Sequence, residues 1–184
     1  MKIGSPARRA NPASGFSLVE LLTVLAIVAV VLSATVPSFS SFLQSQQMTT
    51  ATNDFLAAIR LARSEAIQRG TRVDLVPRST DGNWAGGWVV FVDSNNNQRP
   101  DPGEHVVLAH DAGPKGLRIE ARLTDSTVQY LAYSGAGRSR TNASSQRTQF
   151  GTFTFRLNEQ VRKIKLNFLG SPRICNPIRE ASTC

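Results

Sequence analysis

The chain has 184 residues, 41% of them hydrophobic and 18% charged, with a formal net charge of +8. That length suits one domain with a real core and is short for two, and the composition excludes a disordered chain. With two histidines and two cysteines, no CxxC and no phosphate-binding loop or dinucleotide fingerprint, neither a zinc constellation nor a cofactor is expected.

Residues 1–15 are polar and carry Lys2, Arg8 and Arg9, whereas Phe16 to Val36 holds a single charge, Glu20. A helix over that apolar run would be about 30 Å long, enough to cross the hydrocarbon core. The basic flank predicts a cytoplasmic N-terminus and places the rest of the chain across the membrane. A secretory signal peptide cut near Ala34 is the rival reading. Glu20 interrupts the start of its apolar region, and helical periodicity continues past the supposed cut.

That periodicity reaches about Arg69. Met48, Phe55, Ile59, Ala62, Ala66 and Ile67 recur at spacings of mostly three, four and seven, with Arg60, Arg63, Glu65 and Gln68 on other faces. Gly70 is a natural stop. One helix of about 50 residues is predicted, half in lipid and half packed on a domain. Pro37 falls inside it and should kink or loosen it locally.

"GFSLVELL" after a basic leader resembles the signal of type IV pilins and pseudopilins. The likeness rests on Gly15, on Phe16, on Glu20 at the fifth position after Gly15, and on Pro37 at the twenty-second. It implies a prepilin peptidase that cuts between Gly15 and Phe16 and methylates the new Phe16 amine. It also implies a role for Glu20. A lone carboxylate costs about 2.5–3.5 kcal/mol in hydrocarbon on insertion scales, and pairing with a Phe16 amine would relieve that cost during subunit assembly. The alternative is that Glu20 lies shallow enough to reach the headgroups.

After Gly70 the period changes to two. "RVDLVP", "GWVVFVD", "HVVLAH", "GLRIEA", "VQYLAYS", "GTFTFRL" and "KIKLNFL" read as strands separated by turn-rich stretches. The expected class is α+β: a long N-terminal helix packed on antiparallel sheet. This order resembles the GspH/FimT family of minor pseudopilins, through "GWVVFVDSNNNQRPDPGE" and "YSGAGRSR". The implied organisation is a leader over 1–15, a transmembrane or filament-core helix over 16–37, its amphipathic half over 38–70 and a periplasmic β-rich domain over 71–184. Implied partners are the prepilin peptidase, other pilin or pseudopilin subunits, the inner membrane and double-stranded DNA. Use in a type II secretion system, with protein partners, is the other branch of the same resemblance.

Three groups of side chains are candidate sites. Asp93, Asn95, Asn97, Asp101 and Glu104 follow calcium-loop spacing, with Gln98 where glycine is usual; the same residues are ordinary turn formers. The second group is basic: residues 138–184 hold nine Lys and Arg against Glu159 and Glu180. Lys163 and Lys165 alternate with Ile164 and Leu166, and Arg138, Arg140, Arg173 and Arg179 lie in turn-rich segments. Cations so placed contact phosphates without reading sequence. In the resembled family a Gly-Arg-x-Arg motif near the C-terminus is associated with DNA uptake; here "GRSR" stands at 137–140, and "GSPR" at 170–173 keeps Gly170 and Arg173. The third group is Cys175 and Cys184, which an exported domain could join as a disulfide. His105 and His110 bracket one predicted strand with no nucleophile signature nearby, so no enzyme is expected and both are read as surface or strand-end residues.

Overall fold

The computed structural model describes residues 15–182 and Cys184, excepting the side chains of residues 34–38. It divides into two compact units, Met1–Ser41 and Phe42–Cys184. Of the expected leader only Gly15 is described.

In the first unit, helix α1 (Leu18–Arg69) begins on a cap. The Ser17 hydroxyl accepts from Glu20 N at 3.2 Å, and Ser17 O accepts from Leu21 N at 3.2 Å. Ser17 and Glu20 thus occupy the first and last positions of a capping-box sequence, with Glu20 at the positive end of the helix dipole. Every large apolar side chain from Leu18 to Leu32 is exposed, on all sides of the helix. Among the described residues no helix is long and apolar enough to cross a membrane. The apolar run of the sequence extends into residues 34–38, whose side chains lie outside the description. Pro37 does not end α1, which continues to Arg69.

In the second unit the helix buries a stripe of Met48, Ala51, Phe55, Ala58, Ile59, Ala62 and Ala66, at the three- and four-residue steps that keep one face inward. Ile67, expected in that stripe, is 54% exposed. It follows Ala66 directly, and one helical step turns it off the buried face.

Among the described residues nine strands follow: β1 (Val73–Pro77), β2 (Trp88–Val92), β3 (Val106–His110), β4 (Arg118–Leu123), β5 (Leu131–Tyr133), β6 (Ser139–Arg140), β7 (Gly151–Leu157), β8 (Gln160–Leu166) and β9 (Pro172–Cys175). They form a five-stranded sheet ordered β3-β2-β1-β5-β6 and a four-stranded sheet ordered β4-β7-β8-β9, with every pairing antiparallel. The sequence predicts seven of these strands. Both additions are short: β6 lies in the segment read as a Gly/Ser-rich loop, and β9 begins within "GSPR" and runs to Cys175.

Phe55 joins helix and sheets. Its ring lies 5.4 and 5.0 Å from Trp84 and Trp88, and 4.8 and 5.4 Å from Phe153 and Phe155 of β7. The first pair belongs to the five-stranded side and the second to the four-stranded sheet, so one helix side chain touches both. A second cluster of Val76, Val89, Phe91, Tyr130 and Ala132 covers the other face of the five-stranded sheet.

Candidate functional site

The four-stranded sheet alternates cleanly. Phe153, Phe155, Leu157, Ile164 and Leu166 point into the core, and the intervening residues make an outer face. Register sets that face in rows. One row runs Arg122, Thr152, Lys165, Arg173; the next Glu120, Thr154, Lys163, Cys175; the third Arg118, Arg156, Val161. Six cations therefore share one sheet face with one carboxylate, Glu120. Arg118 stands opposite Arg156, and Lys165 opposite Arg173. Like charges directly across strands repel, and the register gathers cations from all four strands on this one face.

Lys163, Lys165 and Arg173, expected as DNA contacts, lie together on this face. Arg118, Arg122 and Arg156 join them and were not among the expected contacts. Register alone could have shown this for Arg118 and Arg122, because β4 reaches the basic segment only by pairing with β7.

Arg138 and Arg140 are elsewhere. Arg138 is exposed in a turn closed by Ser134 N to Arg138 O at 2.9 Å. Arg140 lies on β6 of the other sheet, with Nε 3.3 Å from Thr141 O. The two glycine turns nevertheless meet. Gly170, at φ +75°, would place a Cβ 2.9 Å from Ser139 N and from the Tyr133 ring, so only glycine fits. Tyr133 Oη donates to Gly170 O at 2.6 Å, and burial holds that phenol above its ordinary pKa. Arg63 Nη1 donates to Ser171 Oγ at 2.9 Å, bringing a helix cation to the same corner. Arg179 is exposed in the segment closed by the Cys175–Cys184 disulfide, whose sulfurs are 2.07 Å apart.

The Asp93–Glu104 loop satisfies its own oxygens. Asp93 accepts from Asn97 N and Gln98 N, both at 3.1 Å, Asn95 Oδ1 from Asn97 N at 3.1 Å and Asn97 Oδ1 from Arg99 N at 2.8 Å. Glu104 accepts from Ser94 N at 2.8 Å and Asp101 N at 3.1 Å. These are the bonds of a structural turn. Its root is a buried ionic unit: Arg72 Nη2 lies 2.5 Å from Asp74 and 3.2 Å from Asp93. Arg72 Nη1 also donates to Asn96 and Asn142, at 3.0 and 2.7 Å, tying two loops together. Burial pushes the Asp74 carboxyl up to about 7, against the lowering pull of Arg72.

His105 is exposed. His110, expected at the surface or at a strand end, is the last residue of β3; it is half-buried and stacked on Trp88, with ring centroids 4.0 Å apart and Nε2 3.6 Å from Asp54.

A family model for the type II transport protein GspH matches residues 51–170, well over half of the chain. The chain belongs to the GspH family. The prokaryotic N-terminal methylation motif matches residues 11–36. A pilin-like protein of Thermus thermophilus, PilA1, is 38% identical over 96 residues, 52% of this chain and 58% of that relative; the match thus spans less than two thirds of that relative's length. Among solved structures, the type IV minor pilin FimU of Pseudomonas aeruginosa superposes with a TM-score of 0.56 at 19% identity, covering 73% of this chain and 91% of that one. The minor pseudopilin EpsH from the type 2 secretion system of Vibrio cholerae does so with 0.52 at 12%, covering 71% and 98%. These likenesses show a shared pilin-like fold. The family is one of structural pilin and pseudopilin subunits, and this GspH-family chain carries a filament subunit's signal.

Proposed function

We propose that this GspH-family protein is a minor subunit of a type IV pilus-like filament whose periplasmic domain binds double-stranded DNA. Prepilin peptidase cuts between Gly15 and Phe16 and methylates the Phe16 amine. Before assembly the apolar helix over 16–37 anchors the chain in the inner membrane, with the N-terminus cytoplasmic. The exposure of the apolar side chains around α1 from Leu18 to Leu32 supports this: such a surface needs lipid or neighbouring helices. Glu20 sits one turn from the amine that cleavage creates, so pairing with that amine on a neighbouring subunit sets the helix register.

One observation carries the DNA reading: the outer face of the four-stranded sheet, with six cations to one carboxylate and two like-charge pairs across strands. A phosphate backbone is attracted to such a concentration of cations and releases counterions on binding. The test is a titration of the full chain in detergent micelles with fluorescent duplex DNA at several salt concentrations. Binding that weakens with salt, with a shallower slope after Lys163→Ala, Lys165→Ala and Arg173→Ala, supports the reading. No binding at low salt, or equal binding by the variant, overturns it. The second reading, a minor pseudopilin of a type II secretion system with a protein partner, follows from the description of the family model; retained secretion in a deletion strain would exclude it.

A further inference from the structure

At one end of the basic face the sheet opens into a groove of about 420 Å³ lined by Phe150, Thr152, Lys165, Leu166, Ser171 and Arg173. Its chemistry differs from that of the face. Phe150 is 49% exposed, a large aromatic at the rim of a cationic surface. Its backbone is fixed: Phe150 N donates to Thr124 Oγ1 at 3.2 Å, and Phe150 O accepts from Thr124 N at 2.9 Å. The next residue, Gly151 at φ +149°, lies so close to Arg122 O that no side chain fits. The ring is therefore presented from a rigid strand start.

Across the groove are Lys165 and Arg173, cross-strand neighbours. Ser171 lies at the end of the groove and also lines a second one, of about 350 Å³, with Arg60, Arg63, Ser64, Ile67 and Pro172. The two grooves share Ser171: the first holds a ring and two cations, the second two more cations, Arg60 and Arg63. An aromatic platform beside a line of cations is how single strands are held: a base stacks on the ring while phosphates follow the charges. A paired duplex cannot offer a base face to a side chain at its flank.

We infer that this groove seats an unpaired nucleobase of a DNA strand on Phe150, with its phosphate between Lys165 and Arg173 and the strand continuing toward Arg63 and Arg60. The inference rests on the DNA reading above and adds to it a preference for single-stranded or frayed DNA. A volume of this size holds a ligand the size of a nucleotide.

The experiment uses the full chain in detergent micelles with three labelled probes: an oligothymidylate of about a dozen nucleotides, the same strand made abasic, and a duplex of equal length. Phe150→Ala should weaken oligothymidylate binding roughly ten-fold, within the range for loss of one stacked base. Abasic and duplex binding should be nearly unchanged, and Phe150→Trp should restore the lost affinity. Equal oligothymidylate binding by wild type and Phe150→Ala overturns the seat. So does an equal loss on the abasic strand, or competition by polyglutamate as effective as by oligothymidylate, which would mark an anion site without a base. If Lys163→Ala with Lys165→Ala weakens duplex binding while Phe150→Ala changes nothing, the DNA reading stands and the seat falls. If wild type binds no probe at low salt, both fall.

Discussion

The two sheets solve the same problem in opposite ways. In the five-stranded sheet, β1 and β2 read "VDLVP" and "WVVFV" and are buried on both faces. In the four-stranded sheet, "GTFTFRL" and "QVRKIKL" alternate and leave one face outward. The first sheet keeps its charges inside, as the Arg72–Asp74–Asp93 unit under two loops. The second carries six cations and one carboxylate on its outer face. A buried ion matters for stability through its partners, whereas an exposed one contributes little to folding. The five-stranded sheet therefore has the character of scaffold, and the four-stranded sheet carries the surface on which the proposed binding rests.

Four variants break or sharpen that contrast. The largest effect is expected where the sheets share a side chain: Phe55→Ala should cost about 3–5 kcal/mol and lower the thermal midpoint of the domain as a whole, read by circular dichroism. Next, Arg72→Met leaves two buried carboxylates without their cation. It should cost about 3 kcal/mol and release the Asn96 and Asn142 loops, seen as faster amide hydrogen exchange there.

A pH series tests the same unit more gently. Asp74 titrates at about 7 in the folded chain against an ordinary value of 3.8, so the folded state holds the extra proton between those values. Stability from this group is fully present below about 3.8, falls as pH rises, and is gone above about 7. Between pH 5 and 8 the loss should be on the order of 2 kcal/mol; Asp74→Asn, which cannot ionise, should flatten the melting profile over that range. The smallest effect marks the other sheet. Lys163→Ala with Lys165→Ala should change stability by less than about 0.5 kcal/mol, or raise it slightly by removing repulsion, while duplex affinity falls.

Much of this fold is legible in the chain. Met48, Phe55, Ile59, Ala62 and Ala66 are spaced for one helix face, and Gly70 stands where α1 ends. "KIKLNF" shows which strand positions face out. Ser17 and Glu20 also spell a helix cap in plain view, a local reason for the carboxylate that the resemblance to pilins drew attention away from. What stays hidden depends on pairing between distant segments. Nothing near Arg118 or Arg122 says that β4 will lie beside β7 and extend the basic face. β6 and β9 are held by their neighbours, too short to announce themselves by alternation. His110 reads as a strand end until Trp88, far away in sequence, brings its ring underneath. Phe150 belongs to no strand, and its value as a platform depends on Lys165 and Arg173 arriving from two others.

The edge strands of the four-stranded sheet, β4 and β9, have one more consequence. Each has a strand neighbour on one side only, and the open side of an edge strand is where a strand from another molecule can add. In a filament or a crowded membrane, subunits meet at high local concentration, and such edges invite misassembly. β4 carries Arg118 and Arg122 along its length, and β9 opens with Pro172, which lacks an N–H to offer, followed by Arg173. Charge and proline at an edge are gatekeepers against aggregation. The arginines of the proposed DNA face thus also discourage sheet-to-sheet pairing between copies, and neutralising them for a binding assay should lower the concentration at which the protein stays monodisperse.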